Sequence, residues 1–195
     1  MALGLAPLTE LEAVNEILAV GSNSPVSTLD ENQVIDASLA QSTLRSALIE
    51  ILSKGWYFNT EEDLELVPDQ DGRIRLPRNT LRLRASGGSK GSKLVQRGTT
   101  LYDKTNKTDK FTASVTVELV LALEFEDLPS TVRMYATVTA ARRYQDRFFG
   151  DQAVHSYTIE DERYARAAMM DEELDNQGAN MLNDSQTIRE LSARS

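Results

Sequence analysis

Cysteine is absent and histidine occurs once, at His155, in a chain of 195 residues. The first absence removes disulfide frameworks, thiolate metal sites and cysteine nucleophiles, and the second removes multi-histidine metal sites. No apolar run reaches the length that spans a bilayer, and Met1 to Pro7 has neither the basic start nor the apolar stretch of a secretory leader. The expectation is a soluble protein, intracellular when made, with no membrane association and no cofactor. Aromatics are few, and the single tryptophan stands in the string Gly55-Trp56-Tyr57-Phe58. That string is a structural seam: helical spacing precedes it, and alternation with turn residues follows. The three aromatics read as a strand entering a core.

Charge is unevenly spread. The whole chain carries −9, yet Arg73 to Lys110 holds eleven Lys/Arg against two acids, a local balance of +9, so the remainder carries −18. One surface is therefore expected to accept an anion or an acidic partner, and another to repel it.

Thr9 and Glu12 have capping-box spacing, and Leu11, Val14, Ile17 and Leu18 form a stripe, so a first helix is expected from about Thr9 to Val20, with Gly21 as its left-handed stop. A second is expected from near Asp30 to Lys54 on Val34, Ile35, Leu39, Leu44, Ala47, Leu48, Ile51 and Leu52, closed by Gly55. Strands follow: Leu64 and Leu66 alternate with acids, and Ile74, Leu76, Leu81 and Leu83 alternate with Arg73, Arg75, Arg82 and Arg84. Ser86 to Ser92 reads as a mobile tip, after which Leu94-Val95, Leu101-Tyr102 and Val115 to Leu123 supply further strands. Asp127-Leu128-Pro129 opens a third helix that runs to about Phe148. A fourth is expected from about Asp151 to Asn176, with Tyr164, Ala167, Ala168 and Leu174 inward and Gly178 as its stop. The fold class is α+β: a discontinuous helical core (1–54 and 127–178), four helices in all, interrupted by a β-rich insertion (55–126). A tail (179–195) follows, with Met181, Leu182, Ile188 and Leu191 as its apolar anchors.

Catalytic patterns are thin. Gly87-Gly88-Ser89-Lys90-Gly91 lacks the spacing and the following helix of a phosphate-cradling loop, and His155 beside Ser156 does not make a triad. Carboxylates are abundant, at Glu61, Glu62, Asp63, Glu65, Asp69, Asp71 and again at Glu160, Asp161, Glu162, so a paired-carboxylate glycoside hydrolase is the enzymatic alternative. Arg73, Arg75, Arg82, Arg84, Lys90 and Lys93 fit contact with a phosphate backbone, with only Tyr102 and Phe111 nearby to stack on bases.

Ala13-Val14-Asn15-Glu16-Ile17-Leu18, Pro25-Val26-Ser27-Thr28-Leu29, Gly55-Trp56-Tyr57-Phe58-Asn59-Thr60-Glu61-Glu62, Arg97-Gly98, Leu101-Tyr102-Asp103, Phe125-Glu126-Asp127-Leu128-Pro129, Ala140-Ala141-Arg142-Arg143-Tyr144-Gln145 and Asn180-Met181-Leu182 occur in this order. In that order they resemble the tail tubular protein A family of short-tailed bacteriophages, from about Leu8 to Leu182. The resemblance implies a structural head-to-tail adaptor, or gatekeeper, in the virion tail, assembled in the host cytoplasm. It implies a homo-oligomeric ring of twelve copies beneath the portal protein, continuing the DNA channel and receiving the nozzle, tubular protein B, below. It makes the tail after Gly178 a candidate portal-docking segment. The basic stretch becomes a candidate for subunit, nozzle or lumen contacts, the last with double-stranded DNA irrespective of sequence.

Overall fold

The computed structural model describes residues 6–29, 34–150 and 152–184. Among these residues four α-helices and two small antiparallel sheets make it an α+β protein. The chain divides into two compact units, one built from the residues up to Leu48 together with those from Phe125 onward, the other from Ile49 to Glu124.

In the first unit, α1 (Glu10–Val20) starts as its sequence dictates. Thr9 is the N-cap and completes a capping box with Glu12, and Ala13, Val14, Ile17 and Leu18 are buried. Its end differs from expectation. Gly21 has φ −88, and the left-handed residue is Ser22 at φ 57. Gly21 is needed for room, since a Cβ there would stand 2.5 Å from the Phe149 ring. The helix α2 (Ile35–Leu52) starts later than the spacing predicts, and Asp30 lies outside the described residues. Its inner face is Ala37, Ala40, Thr43, Leu44 and Ala47, whereas Val34, Ile35 and Leu39 are exposed.

Helix α3 (Ser130–Phe148) is the centre of this unit, buried nearly all round and lying against both α1 and α4 (Gln152–Asp184). Its N-cap is Pro129, without a side-chain cap; Asp127 instead belongs to a short 3-10 turn, Phe125–Asp127. The chain runs through Gly178 as helix, so that glycine is no stop. The inward face of α4 is also not the one expected: Met169 and Glu173 are buried, while Tyr164, Ala167, Ala168 and Leu174 are exposed.

In the second unit, β1 (Thr60–Leu66), β5 (Val115–Leu121) and β2 (Thr80–Ala85) form a sheet in the order β1-β5-β2, and β3 (Leu94–Arg97) pairs with β4 (Thr100–Asp103) as a hairpin turned at Gly98, φ 62. Ile74, Leu76, Leu94, Leu101, Val117 and Leu119 form its core. Arg73 and Arg75 flank Ile74 on isolated bridges to Lys110 and Thr100, where a strand was expected. A bulge between Glu61 and Leu64 is made by Asp63 at φ 48.

The seam is a turn, with β1 starting only at Thr60. Trp56 and Phe58 are half-buried and Tyr57 is exposed. Gly55 takes φ 79, and a Cβ there would stand 2.5 Å from Arg82 Nη2. The buried member is Asn59. Its Oδ1 accepts from Trp56 N at 2.8 Å, while its Nδ2 donates to Leu52 O at 3.0 Å and Leu121 O at 2.8 Å. One amide thus ties the end of α2 to β5. Trp56 Nε1 adds a single bond to Ile51 O at 2.7 Å. Asn59→Leu removes three hydrogen bonds made by one buried side chain and is expected to cost about 2–4 kcal/mol, against about 1 kcal/mol for Trp56→Phe, which loses one bond. Urea midpoints measure the two, and equal values would make the aromatics the anchor.

Candidate assembly and anion-binding surfaces

Three of the six cations singled out in the sequence are occupied. Arg73 Nε lies 3.2 Å from Asp109 Oδ2, and Arg75 Nε lies 3.6 Å from Asp69 Oδ2. The Asp69 carboxyl is held below the usual carboxylate range chiefly by the Arg73 N–H donating to it at 2.9 Å, with help from Asp71 N–H and from the Arg75 and Arg73 charges. Arg82 donates to Lys54 O at 2.7 Å and lies 3.5 Å from Glu118. Exposed pairs of this kind stabilise little, but they neutralise the charge a polyanion would meet.

The other three remain available. Arg84, Lys90 and Lys93 are exposed and have no ion pair among the described residues. Lys104 N donates to Lys93 O at 2.9 Å, which sets a fourth exposed cation beside Lys93. The supposedly mobile tip is anchored. Ser86 N donates to Thr116 O at 3.0 Å and Ser89 Oγ accepts from Thr116 N at 2.9 Å, around a 3-10 turn, Gly87–Ser89. Asp103 organises the next turn by accepting from Thr105 N at 2.7 Å and Asn106 N at 3.2 Å. Those bonds, Asn106 first, hold its carboxyl below the usual range.

Neither nearby ring is free to stack on a base. Arg97 lies 3.4 Å over the Tyr102 ring, a contact no spacing announced, and Phe111 packs against the core.

The carboxylates do not gather into a site. Glu61, Glu62, Asp63 and Glu65 are exposed along β1. A cavity of about 560 Å³ lies between α1 and α3, lined by Ala6, Leu8, Glu12, Asn15, Glu16, Ala19 and Met134. Two of its residues are carboxylates, but Glu12 is engaged by Thr9 N at 2.9 Å and its carboxyl is lowered by that bond. Burial raises Glu16, helped by the Glu12 charge. This is a cap and its neighbour, and nothing in the arrangement favours glycoside hydrolysis.

Charge joins α3 to α4. Arg142 bonds Glu162 and lies 3.0 Å from Asp146, and His155 Nδ1 is 2.7 Å from Asp146 Oδ1, so the lone histidine shares Asp146 with Arg142. The Glu162 bond is the main reason the Arg142 guanidinium is raised above its ordinary value. Met181 and Leu182 fall in the last turns of α4, while Ile188 and Leu191 lie outside the described residues. Among the described residues no acid/histidine cluster could hold a metal ion, and no helix is long and apolar enough to cross a membrane.

A family model described as tail tubular protein matches residues 11–179. The chain belongs to the tail tubular protein family. It is 34% identical over 171 residues to Tail tubular protein A of Klebsiella phage KP34, covering 87% of this chain and 89% of that protein. A tail tubular protein is a structural part of a bacteriophage tail, and the surfaces above are those of such a component.

The raised Glu16 yields a signed prediction. A carboxyl whose folded pKa is raised costs stability once it ionises, so Glu16→Gln should raise the melting temperature at pH 7. The gain should vanish as pH falls below the usual carboxylate range, where both variants are neutral. A gain that persisted in acid would mean the effect is packing rather than charge.

Proposed function

We infer that this tail tubular protein is a head-to-tail adaptor: a ring of copies, twelve by resemblance, seated beneath the portal and receiving the nozzle protein below. The family match over residues 11–179 is the observation that carries this reading. The ring is assembled in the host cytoplasm and leaves in the virion. Its scaffold is a four-helix core of residues 1–54 and 127–178, with 55–126 as the inserted part. The segment after Gly178, with Met181, Leu182, Ile188 and Leu191, docks on the portal. Arg84, Lys90 and Lys93 meet the phosphates of passing DNA without regard to sequence. Two facts support that last assignment: these three cations have no ion pair among the described residues, and the adjacent rings are already covered.

Negative-stain microscopy of portal rings mixed with the purified chain tests the reading. A collar beneath the portal is expected. Bare portals at saturating protein would overturn the adaptor.

DNA contact has its own test. Retention of double-stranded DNA by the assembled ring should fall with salt, and Lys90→Gln and Lys93→Gln should each lower the log–log salt slope by about 1. Arg75→Gln should leave it unchanged, because Arg75 is paired with Asp69. Slopes indifferent to both lysines would remove DNA from this surface.

A further inference from the structure

Two helices of the first unit each turn a stripe to solvent that the core does not use. On α4 it consists of Tyr164, 73% exposed, Ala167, Ala168, Asp171, Leu174, 60% exposed, and Asp175. The spacing of three and four residues keeps them on one side, roughly opposite Ala165, Met169 and Glu173. On α2 the corresponding stripe is Ile35, 77% exposed, Ser38, Leu39, Ser42, Arg45 and Ser46, turned away from Ala37, Ala40, Leu44 and Ala47. Ser46 Oγ donates to Ser42 O at 2.9 Å, so its hydroxyl is satisfied within the helix.

The stripes complement each other. Each spans about three turns and sets two large apolar residues, Ile35 and Leu39 or Tyr164 and Leu174, among small ones, which suits interlocking of two helices. The α2 stripe carries one cation, Arg45, and the α4 stripe carries two anions, Asp171 and Asp175. None of the three has a partner among the described residues. Neither stripe is complementary to itself in charge, so a two-fold contact of α4 on α4 would oppose Asp171 and Asp175 to their own copies. A contact between unlike faces is the arrangement that closes rings.

We propose that the α2 stripe of one copy packs on the α4 stripe of the next, with Arg45 against Asp171 and Asp175, as the subunit contact of the assembled tail tubular protein. The proposal rests on the ring in the functional reading above. It fixes which faces meet and makes the contact heterologous.

The cysteine-free chain gives a clean test. Ser42→Cys and Ala168→Cys are mid-stripe changes at exposed positions. A disulfide forms only when Cβ atoms come within about 3.5–4.5 Å, so it reports direct contact. Each full-length variant, and their mixture, is assembled on portal rings and oxidised, with melting curves confirming that both fold. The expected result is a disulfide-linked pair from the mixture and none from either variant alone. Arg45→Asp in the Ser42→Cys chain should lower the yield severalfold, and Asp171→Arg in the other chain should restore it.

Linked pairs from either variant alone, or collars that form without a mixed disulfide, would overturn the proposal and leave the adaptor standing. Mixed disulfides in solution beside bare portals would keep this contact and overturn the adaptor. Bare portals with no disulfide in portal mixtures or in concentrated solution would overturn both.

Discussion

A buried guanidinium that bonds three backbone carbonyls, and no carboxylate among the described residues, anchors the helical unit. Arg133, near the start of α3, donates through Nε to Leu128 O at 2.8 Å and through Nη1 to Leu8 O at 2.9 Å, and its Nη2 bonds Glu126 O. Five fixed donors in a plane suit three carbonyls arriving from different directions, which an ammonium could not serve in the same way. Two of those carbonyls belong to the turn where the chain comes back from the β-rich part, and the third precedes α1. Glu126 adds a second tie by accepting from Glu10 N at 3.1 Å. Segments far apart in sequence thereby share one anchor.

Local signals were legible where local chemistry decided the outcome. The Thr9 capping box, the closing of α2 ahead of Gly55 and the strands at Leu94-Val95 and Leu101-Tyr102 are each settled within a few residues, and the structure has them where the sequence puts them. The inward face of α4 was not legible. The more apolar stripe faces water, while Glu162 and Glu173 face inward. Glu162 is tolerated there because Arg142 and Thr139 of α3 bond it, and no periodicity records what a neighbouring helix will offer.

The basic stretch failed in the same way. Eleven cations looked like one surface, but Asp69, Asp109 and Glu118 neutralise three of them through pairings of a turn, a bridge and a sheet register. Composition counts charge, whereas function depends on what is left over. Asn59 and Arg133 escaped notice for a related reason. A single polar residue among apolar ones carries no pattern, and its importance lies in the backbone groups it satisfies.

The bulge in β1 bears on a different question, namely how an outer strand avoids pairing with another chain. An outer strand with open hydrogen-bonding groups invites unlimited sheet growth. Here that strand is kinked by Asp63 at φ 48 and flanked by Glu61, Glu62 and Glu65, all exposed. A second copy laid alongside it would meet a broken register and its own like charges. That edge of the sheet is thus guarded against growth strand by strand.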